Sequence, residues 1–207
     1  MKKPYLIAIG GPSGSGKSYL AYRLAHALPD ASVLSLDSYY REYSHLTYGE
    51  RCQLNFDHPD SIDVDLLTRQ IDTVAQGWPI KRPIYDFETH SRTRNPEPFL
   101  PRQYVILEGI FGLYFAAVRD LAAMKVFVQT PDSQCFDRRL ARDTVERGRS
   151  AESVTDQYTH TVRPMAYEYI WPTRHYANLV IPGNQNIALS VEQVLHGMPQ
   201  AAMAAIA

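Results

Sequence analysis

The residues best suited to chemistry are glycines, a lysine and a serine near the start of the chain. Residues 11–18 read GPSGSGKS, which fits the pattern of glycine, four residues, glycine, lysine and serine or threonine. Glycines let the backbone bend so that successive N–H groups point at phosphate oxygens, and Lys17 would reach the β- and γ-phosphates. The Ser18 hydroxyl would hold Mg²⁺. The stretch predicts a phosphate-binding loop (the P-loop, residues 11–18), with these nucleotide ligands: Gly11, Ser13, Gly14, Ser15, Gly16, Lys17 and Ser18.

The segments on both sides of the P-loop come in the order that such a loop requires. Residues 5–9 (YLIAI) are a short apolar run, typical of a buried parallel strand. After the loop, Leu20, Leu24 and Leu28 recur at helical spacing up to Pro29. Strand, glycine loop and helix in this order favour a nucleotide site over a flexible glycine-serine turn.

Two carboxylates stand at the ends of predicted strands. Asp37 follows the run 32–36, and Glu108 follows the run 104–107. In open α/β sheets, ligands bind beyond the carboxyl ends of the strands. Asp37 could accept a proton from a substrate hydroxyl or help hold Mg²⁺, and Glu108 could order Mg²⁺. Each could instead cap the helix that follows it.

Arginines are concentrated between residues 137 and 149 (DRRLARDTVERGR). Several share one helix face, because they stand four residues apart. We interpret residues 138–150 as a lid that brings arginines onto a transferring phosphoryl group, with Gly148 as a hinge. A solvated helix with ion pairs and a nucleic-acid patch are the alternatives, and the acidic residues in the cluster weigh against the patch.

Two irregular segments could shape an acceptor pocket. Residues 41–60 are polar and aromatic and end in NFDHPD, where Pro59 excludes a regular helix. Residues 78–96 contain short extended runs with prolines, which predict a β-hairpin (the flap). Tyr85 and His90 on this flap could offer a planar ligand a stacking face and a hydrogen-bonding tip. A plain surface turn and a solvated histidine are the alternatives.

The remaining pattern is that of an α/β protein. Two further strands are predicted at 125–128 and 178–181, and three further helices at 63–77, 150–170 and 187–197. Pro164 should end or kink the second of these helices, and the final stretch 201–207 reads as a helical tail. We expect a single domain over 1–207 with a P-loop NTPase-type, doubly wound parallel sheet of about five strands.

The bulk composition excludes several classes of protein. Basic and acidic residues number 21 and 22, which argues against a general nucleic-acid or membrane surface. Cys52 and Cys135 form no metal-type cluster, so a reduced, cytoplasmic protein is the simpler interpretation, with a disulfide between them as the alternative. The chain shows no run of about 18 apolar residues, and the run after Lys3 is too short for a signal peptide.

With these segments in place, the chain resembles the uridine kinase (uridine–cytidine kinase) family over almost its full length. The matching stretches come in the family's order: GPSGSGKS at 11–18, DSYY at 37–40, NFDHPD at 55–60, PIYDFETHSR at 83–92, EGI at 108–110, RRLARDTVERGR at 138–149 and QY at 157–158. A P-loop alone would indicate only a very large superfamily, whereas this ordered set is far more specific.

The resemblance implies transfer of the γ-phosphoryl group of ATP to the 5′-hydroxyl of uridine or cytidine. Asp37 matches the catalytic base, acting with Lys17 and Arg147, and Ser18 and Glu108, with Asp37, match the Mg²⁺ site. Arg139 and Arg142 match phosphate-facing positions. The residues that match the nucleoside pocket and its lid are Tyr40, Phe56, Asp57, Tyr85, His90, Arg147, Arg149 and Gln157. Asp57 would bind sugar hydroxyls, and the tyrosine and histidine would hold the pyrimidine. The family is typically homotetrameric and often inhibited by CTP or UTP, so we expect a homo-oligomer with small-molecule substrates and no nucleic-acid or membrane partner.

The chain departs from the family pattern in two places. Residues 129–136 (QTPDSQCF) replace an acidic turn followed by an arginine-leucine pair, and Cys135 stands where the arginine is usual. Its absence predicts looser helix packing or a changed interface. Phe111 and Gly112 replace an aliphatic pair. Neither change falls on a proposed catalytic group.

Three other functions compete with this interpretation. A sister kinase could act on phosphoribulose or pantothenate, but NFDHPD and YDFETH supply ribose- and base-facing groups together. A regulatory nucleotide-binding protein would be expected to lose Asp37 or Lys17, and this chain has both. A GTPase switch should carry an Asn-Lys-x-Asp motif, which this chain lacks. An RNA-binding module using the arginines would bind polynucleotides with strong salt dependence.

Overall fold

A parallel sheet of five strands lies at the centre of the fold. The computed structural model describes residues 2–199. The strands in that part are β1 Tyr5–Gly10, β2 Ala31–Ser35, β3 Ile80–Arg82, β4 Tyr85–Asp86, β5 Ser91–Arg92, β6 Glu97–Phe99, β7 Tyr104–Glu108, β8 Met124–Gln129 and β9 Leu179–Pro182. Five of them form the central sheet in the order β2-β7-β1-β8-β9, with every neighbouring pair parallel. The strand that leads into the P-loop is therefore the middle strand.

Helices cover both faces of this sheet. The α-helices of the described part are α1 Lys17–Ala27, α2 Tyr48–Cys52, α3 Val64–Ala75, α4 Ala116–Arg119, α5 Asp132–Val145, α6 Ala151–Gln157, α7 Arg163–Met165 and α8 Ile187–His196. Side chains of β1 alternate between the faces: Leu6 and Ala8 pack with buried residues of α3 and α4, whereas Ile7 and Ile9 pack with those of α1 and α8. Burial on both faces explains the unbroken apolar run of β1, and the predicted doubly wound sheet is confirmed.

Helix ends follow the capping residues of the sequence. The Asp63 carboxylate accepts a hydrogen bond of 3.1 Å from the Leu66 N–H at the start of α3, and Gly77 follows its end with φ of 85°. Ser150 caps α6 in the same way, accepting a bond of 3.2 Å from the Ser153 N–H. These predicted boundaries are confirmed.

Pro164 does not end the long helical segment. Helices α6 and α7 are joined by a π-helical stretch, Tyr158–Val162, and α7 is followed by another, Ala166–Ile170. A proline lacks the N–H that continues an α-helical ladder, and wider π-turns on either side let the chain continue. At Trp171 the backbone tightens into a 3₁₀ turn that ends at Tyr176.

The two acidic residues lie within structural elements and cap no helix. Strand β2 ends at Ser35, one residue earlier than predicted, and a 3₁₀ turn over Leu36–Tyr39 contains Asp37. Glu108 is the last residue of β7, and α4 has Phe115 at its N-cap position. The alternative that these carboxylates are helix caps is therefore wrong.

The flap consists of two short antiparallel pairs. Strand β3 pairs with β6, and β4 pairs with β5 nearer the tip. The paired segment runs from Ile80 to Phe99, so it begins two residues later and ends three residues later than predicted. Arg92 ties the flap to the body: it donates to the Asp63 carboxylate at 3.2 Å and to the Tyr39 carbonyl at 3.1 Å.

Three further expectations concern bulk features. Both Cys52 and Cys135 are free thiols, so the alternative of a disulfide between them is wrong. Within residues 2–199, no helix has the length and apolar character needed to cross a membrane. The predicted helical tail at 201–207 lies outside the described residues.

Candidate active site

Most of the predicted site residues line one cleft at the carboxyl ends of the central strands. The predicted residues in its lining are Ser13, Lys17, Ser18, Asp37, Tyr40, Phe56, Asp57, Tyr85, His90, Arg139, Arg142, Arg147, Arg149 and Gln157. Residues that are more than a hundred positions apart in the sequence thus meet in one cavity.

The other predicted residues stand just outside this lining. Glu108 lies behind Ser18, and Gly16 lines a neighbouring cleft between α1 and the loop after β9. Gly14 has φ of 78°, and a Cβ there would overlap the Cys135 carbonyl oxygen of α5, so only glycine allows this approach. The P-loop backbone is therefore packed directly against the first turn of α5.

Further contacts hold the P-loop in its shape. The Thr130 hydroxyl donates to the Ser15 carbonyl at 2.8 Å, and Arg138 donates to the Gly183 carbonyl at 3.0 Å across the same loop. Lys17 and Ser15 are both buried, and the Ser15 hydroxyl has no hydrogen-bond partner among the described residues. Gly11 also has a positive φ, so residues with positive and negative φ follow one another along the loop, as in an anion-binding turn.

Ser18 and two carboxylates form the polar floor of the cleft. The Ser18 hydroxyl donates a hydrogen bond of 2.8 Å to the Glu108 carboxylate. Asp37 lies beside Gly109, where a Cβ would come within 3.2 Å of its Oδ1. Burial raises the pKa of Asp37 to about 6, and the charge of Glu108 adds to the rise, while Lys17 and nearby arginines oppose it. A carboxylate with such a pKa suits transfer of a proton near neutral pH.

The donor atoms of this floor fit Mg²⁺. Magnesium prefers hard oxygen ligands and is usually held by one or two carboxylates together with substrate phosphates. Ser18, Glu108 and Asp37 offer oxygen atoms only, beside the loop that would hold the phosphates. Among the described residues, no group of three or more histidine, cysteine, aspartate or glutamate side chains could hold a metal without further ligands.

Aromatic rings form the opposite wall of the cleft. Tyr40 lies edge-on to Phe56 at 5.5 Å and 4.9 Å from Tyr85, while the His90 ring stacks on Phe56 at 5.0 Å with only 11° between the planes. The Tyr85 hydroxyl is buried and has no hydrogen-bond partner in the described part of the chain. A buried hydroxyl is costly to leave unpaired, so this wall is suited to a ligand that is both planar and polar.

The tip of the flap is built to present His90. Its φ is 51°, the single positive value at a non-glycine residue in the described chain. Asp86 supports the turn by accepting hydrogen bonds from the Glu88 N–H at 2.8 Å and the Thr89 hydroxyl at 2.7 Å. Burial lowers the pKa of His90, as do the nearby arginines of the lid, so the ring is neutral at physiological pH.

Arginines of the lid enter the cleft from α5 and the turn after it. Arg139 is buried and donates to the Ser13 hydroxyl and the Gln157 side chain, both at 3.0 Å. It also lies 3.7 Å from the Asp57 carboxylate. Arg149 reaches the same Gln157 oxygen at 2.5 Å. Because these arginines point into the cavity, the alternative of a plain solvated helix is not what the structure shows.

Phe87 and Ile110 line the cleft although neither was singled out from the sequence. Phe87 stands two residues after Tyr85, in the turn that follows β4, and its aromatic character on the predicted flap is the signal that could have revealed it. Ile110 is the last residue of the EGI stretch. To identify it as a lining residue, one would have to know where the preceding strand, β7, lies relative to the cleft. The buried Asp143 in the lid was likewise unassigned.

Of the two departures from the family pattern, Cys135 is tightly packed. Its side chain is buried, and its thiol donates to the Thr130 carbonyl at 3.6 Å. The predicted loosening of the helix at this position is therefore wrong, and the backbone of Cys135 also lies directly against Gly14 of the P-loop.

A parallel sheet whose middle strand leads into a P-loop, facing an arginine-rich lid, defines a kinase of the P-loop type. Solved structures with this fold include phosphoribulokinase from Rhodobacter spheroides, with a TM-score of 0.63 at 15% identity, covering 89% of this chain and 74% of that one. Shikimate kinase from Bacteroides thetaiotaomicron matches with a TM-score of 0.53 at 18% identity, over 92% of this chain and 96% of the other. These likenesses show the fold.

Sequence comparison identifies the family. The model of the phosphoribulokinase / uridine kinase family matches residues 6–190, and the chain belongs to this family. A uridine kinase of Haemophilus influenzae (strain PittGG) is 43% identical over 205 residues, 94% of this chain and 96% of that protein. A uridine kinase of Pasteurella multocida (strain Pm70) is also 43% identical, over 90% of each chain. The resemblance found in the sequence motifs is confirmed.

Proposed function

We propose that this protein transfers the γ-phosphoryl group of ATP to the 5′-hydroxyl of uridine or cytidine, giving UMP or CMP and ADP. The observation that carries the proposal is the position of Asp37, in one cleft between Lys17 of the P-loop and the aromatic wall with Tyr40. A hydroxyl that reaches Asp37 from the aromatic side would face a phosphate held by the P-loop. The uridine kinases at 43% identity support this choice of acceptor.

The acceptor nucleoside would bind along the aromatic wall. The pyrimidine would lie between the rings, with the unpaired Tyr85 hydroxyl and the neutral His90 ring as its hydrogen-bond partners. Asp57 is buried in the same cleft, near Tyr40, and would accept hydrogen bonds from the ribose hydroxyls. Rings, hydroxyl and carboxylate together match a flat base joined to a sugar.

In the reaction itself, the oxygen of the 5′-hydroxyl would form a bond to the γ-phosphorus while Asp37 takes the proton of that hydroxyl. The bond from that phosphorus to the β–γ bridging oxygen breaks, and ADP leaves. Phosphoryl transfer needs mainly positioning and neutralisation of charge. Lys17, Arg142 and Arg147 would supply positive charge to the phosphoryl oxygens, and the flap and lid, which meet at Phe87 and Arg147, would exclude water.

Ser18 and Glu108, with Asp37, would hold the Mg²⁺ that accompanies ATP. When bound, Mg²⁺ neutralises phosphate charge and orients the triphosphate. The neighbouring cleft beside Gly16, lined also by Tyr19 and Arg138, would receive the base of ATP. As the resemblance implies, we further propose that the protein is cytoplasmic and forms a homotetramer. Light scattering of the purified protein tests the oligomeric state.

The experiment that tests the function is steady-state ADP formation with Mg-ATP and a panel of acceptors. Uridine, cytidine, adenosine, ribulose 5-phosphate and pantothenate are each compared with a blank that lacks an acceptor. Turnover stimulated by uridine or cytidine alone supports the proposal and gives the preference between them. Turnover with ribulose 5-phosphate or pantothenate instead would assign the chain to a sister activity, and turnover with none of the five would overturn the proposal.

A further inference from the structure

The carboxylate of Asp143 stands at the centre of the lid and contacts four arginines that line the cleft. Its side chain is completely buried. One oxygen, Oδ1, lies 2.7 Å from a terminal nitrogen of Arg142 and 3.5 Å from Arg147. The other, Oδ2, lies 3.4 Å from Arg139 and 3.8 Å from Arg149. Among residues 2–199, no other acidic side chain forms ion pairs with as many arginines.

The backbone of Asp143 joins the same arrangement. Its carbonyl accepts a hydrogen bond of 3.1 Å from the Arg149 N–H. This bond closes the turn that leaves α5 through Gly148, whose φ is 61°. The main chain and the side chain of Asp143 therefore both help to position the arginines that precede and follow this turn.

Charge explains why this residue matters. Four guanidinium groups that share a cleft repel one another, and each also carries several flexible bonds. A buried carboxylate is unfavourable without partners, and here every partner is an arginine that lines the cleft. The carboxylate thus offsets the repulsion and restricts each guanidinium to a position in the cleft, before any nucleotide arrives.

We propose that Asp143 is a positioning residue that presets the four lid arginines around the transferring phosphoryl group. It touches neither substrate and acts through Arg139, Arg142, Arg147 and Arg149. The role in turnover rests on the proposed function, whereas the restraint on the arginines does not. The two parts are therefore tested separately.

The restraint is tested on the arginines themselves. Asp143→Ala and the matched control Asp137→Ala, an exposed aspartate on the same helix, are treated with phenylglyoxal, and modified arginines are located by mass spectrometry. With the carboxylate removed, the four lid arginines should react about tenfold faster than in the wild type, while an exposed arginine such as Arg69 reacts as before. Unchanged reactivity of all four in Asp143→Ala would overturn the inference. This measurement needs no acceptor, so it stands apart from any failure of the proposed function.

The role in turnover is tested by comparing kcat with nucleotide affinity. We expect Asp143→Ala to lower kcat by about a hundredfold, because the arginines no longer sit against the transferring group. The Kd of a non-hydrolysable ATP analogue should stay within about threefold or fall, because removal of an anion does not weaken attraction of a polyanion. Loss of kcat and of affinity together would indicate a merely structural role and overturn the proposal. A wild type that phosphorylates no acceptor would instead contradict the proposed function.

Rescue by a small carboxylate separates charge from packing. Formate can occupy the space left in Asp143→Ala, and it should restore part of kcat, whereas sodium chloride at equal ionic strength should not. A folded variant that formate does not rescue would contradict the proposal. Should the alanine variant fail to fold, Asp143→Asn keeps the size of the side chain and removes its charge, and it is judged by the same split between kcat and Kd.

Discussion

The guanidinium of Arg147 lies over the face of the Phe87 ring, 4.2 Å from its centre. This contact joins the turn after α5 to the flap, two segments that are 60 residues apart in the sequence. Both residues also line the cleft. Lid and flap therefore meet above the site in this structure, and the contact holds an arginine that would face the phosphoryl group beside a ring that would face the base.

Changing Phe87 to leucine should weaken this closure. A cation–π contact is worth about 0.5–2 kcal/mol, so we expect kcat/KM for the nucleoside to fall roughly two- to thirtyfold. The matched control is Phe136→Leu, since Phe136 packs on Tyr158 at 5.0 Å and does not line the cleft. Steady-state kinetics of the two variants check the prediction. Losses of similar size in both would show that the contact with Arg147 has no special role.

Changing Asp37 to asparagine should remove turnover and spare nucleotide binding. The amide keeps the size of the side chain but cannot take the proton, so kcat should fall by at least about a hundredfold. ATP should still bind, because Lys17 and the loop amides are intact. We would measure kcat by ADP formation and the Kd for ATP by calorimetry, with the exposed Asp72→Asn on α3 as control. Near-normal turnover of Asp37→Asn would exclude this residue as the base.

Changing His90 to alanine should affect the nucleoside far more than ATP. The ring stacks on Phe56 at the tip of the flap, on the aromatic wall of the cleft. Loss of one hydrogen bond and one stacking face predicts a rise in the nucleoside KM of roughly ten- to a hundredfold, with the KM for ATP nearly unchanged. His196→Ala, at the exposed end of α8, serves as control. Equal shifts in both KM values would mean that His90 does not contact the base.

The sheet and the P-loop were predictable because their signals are local. An apolar run such as residues 5–9 has to be buried on both faces, and a glycine-rich loop followed by Lys17 has few structural solutions. The capping residues Asp63 and Ser150 likewise act within one turn of their own helix. Physical rules that connect neighbours in the chain are the ones that a sequence expresses directly.

The electrostatics of the site were not predictable in the same way. In the sequence, Asp143 is one of several acidic residues that lower the net positive charge of an arginine-rich helix. Only the fold shows that it is buried among four arginines. Phe87 gains its role from Arg147, which lies far along the chain. The π-helical turns around Pro164 arise from packing of the whole segment. In each case the deciding partner is set by tertiary structure.

Gly112 is one of the two residues that depart from the family pattern after Glu108, and the structure requires a glycine there. A Cβ at this position would overlap the Ile9 carbonyl oxygen of β1. Gly112→Ala should therefore lower the free energy of unfolding by about 1–3 kcal/mol, as overpacking does. Gly49→Ala is the matched control, because Gly49 lies in α2 with nothing within 4 Å of a new Cβ. Since alanine favours a helix over glycine, that variant should gain about 0.5–1 kcal/mol. Urea unfolding of both variants measures the difference, and a Gly112→Ala protein as stable as the wild type would mean that β1 and the turn after β7 can move apart.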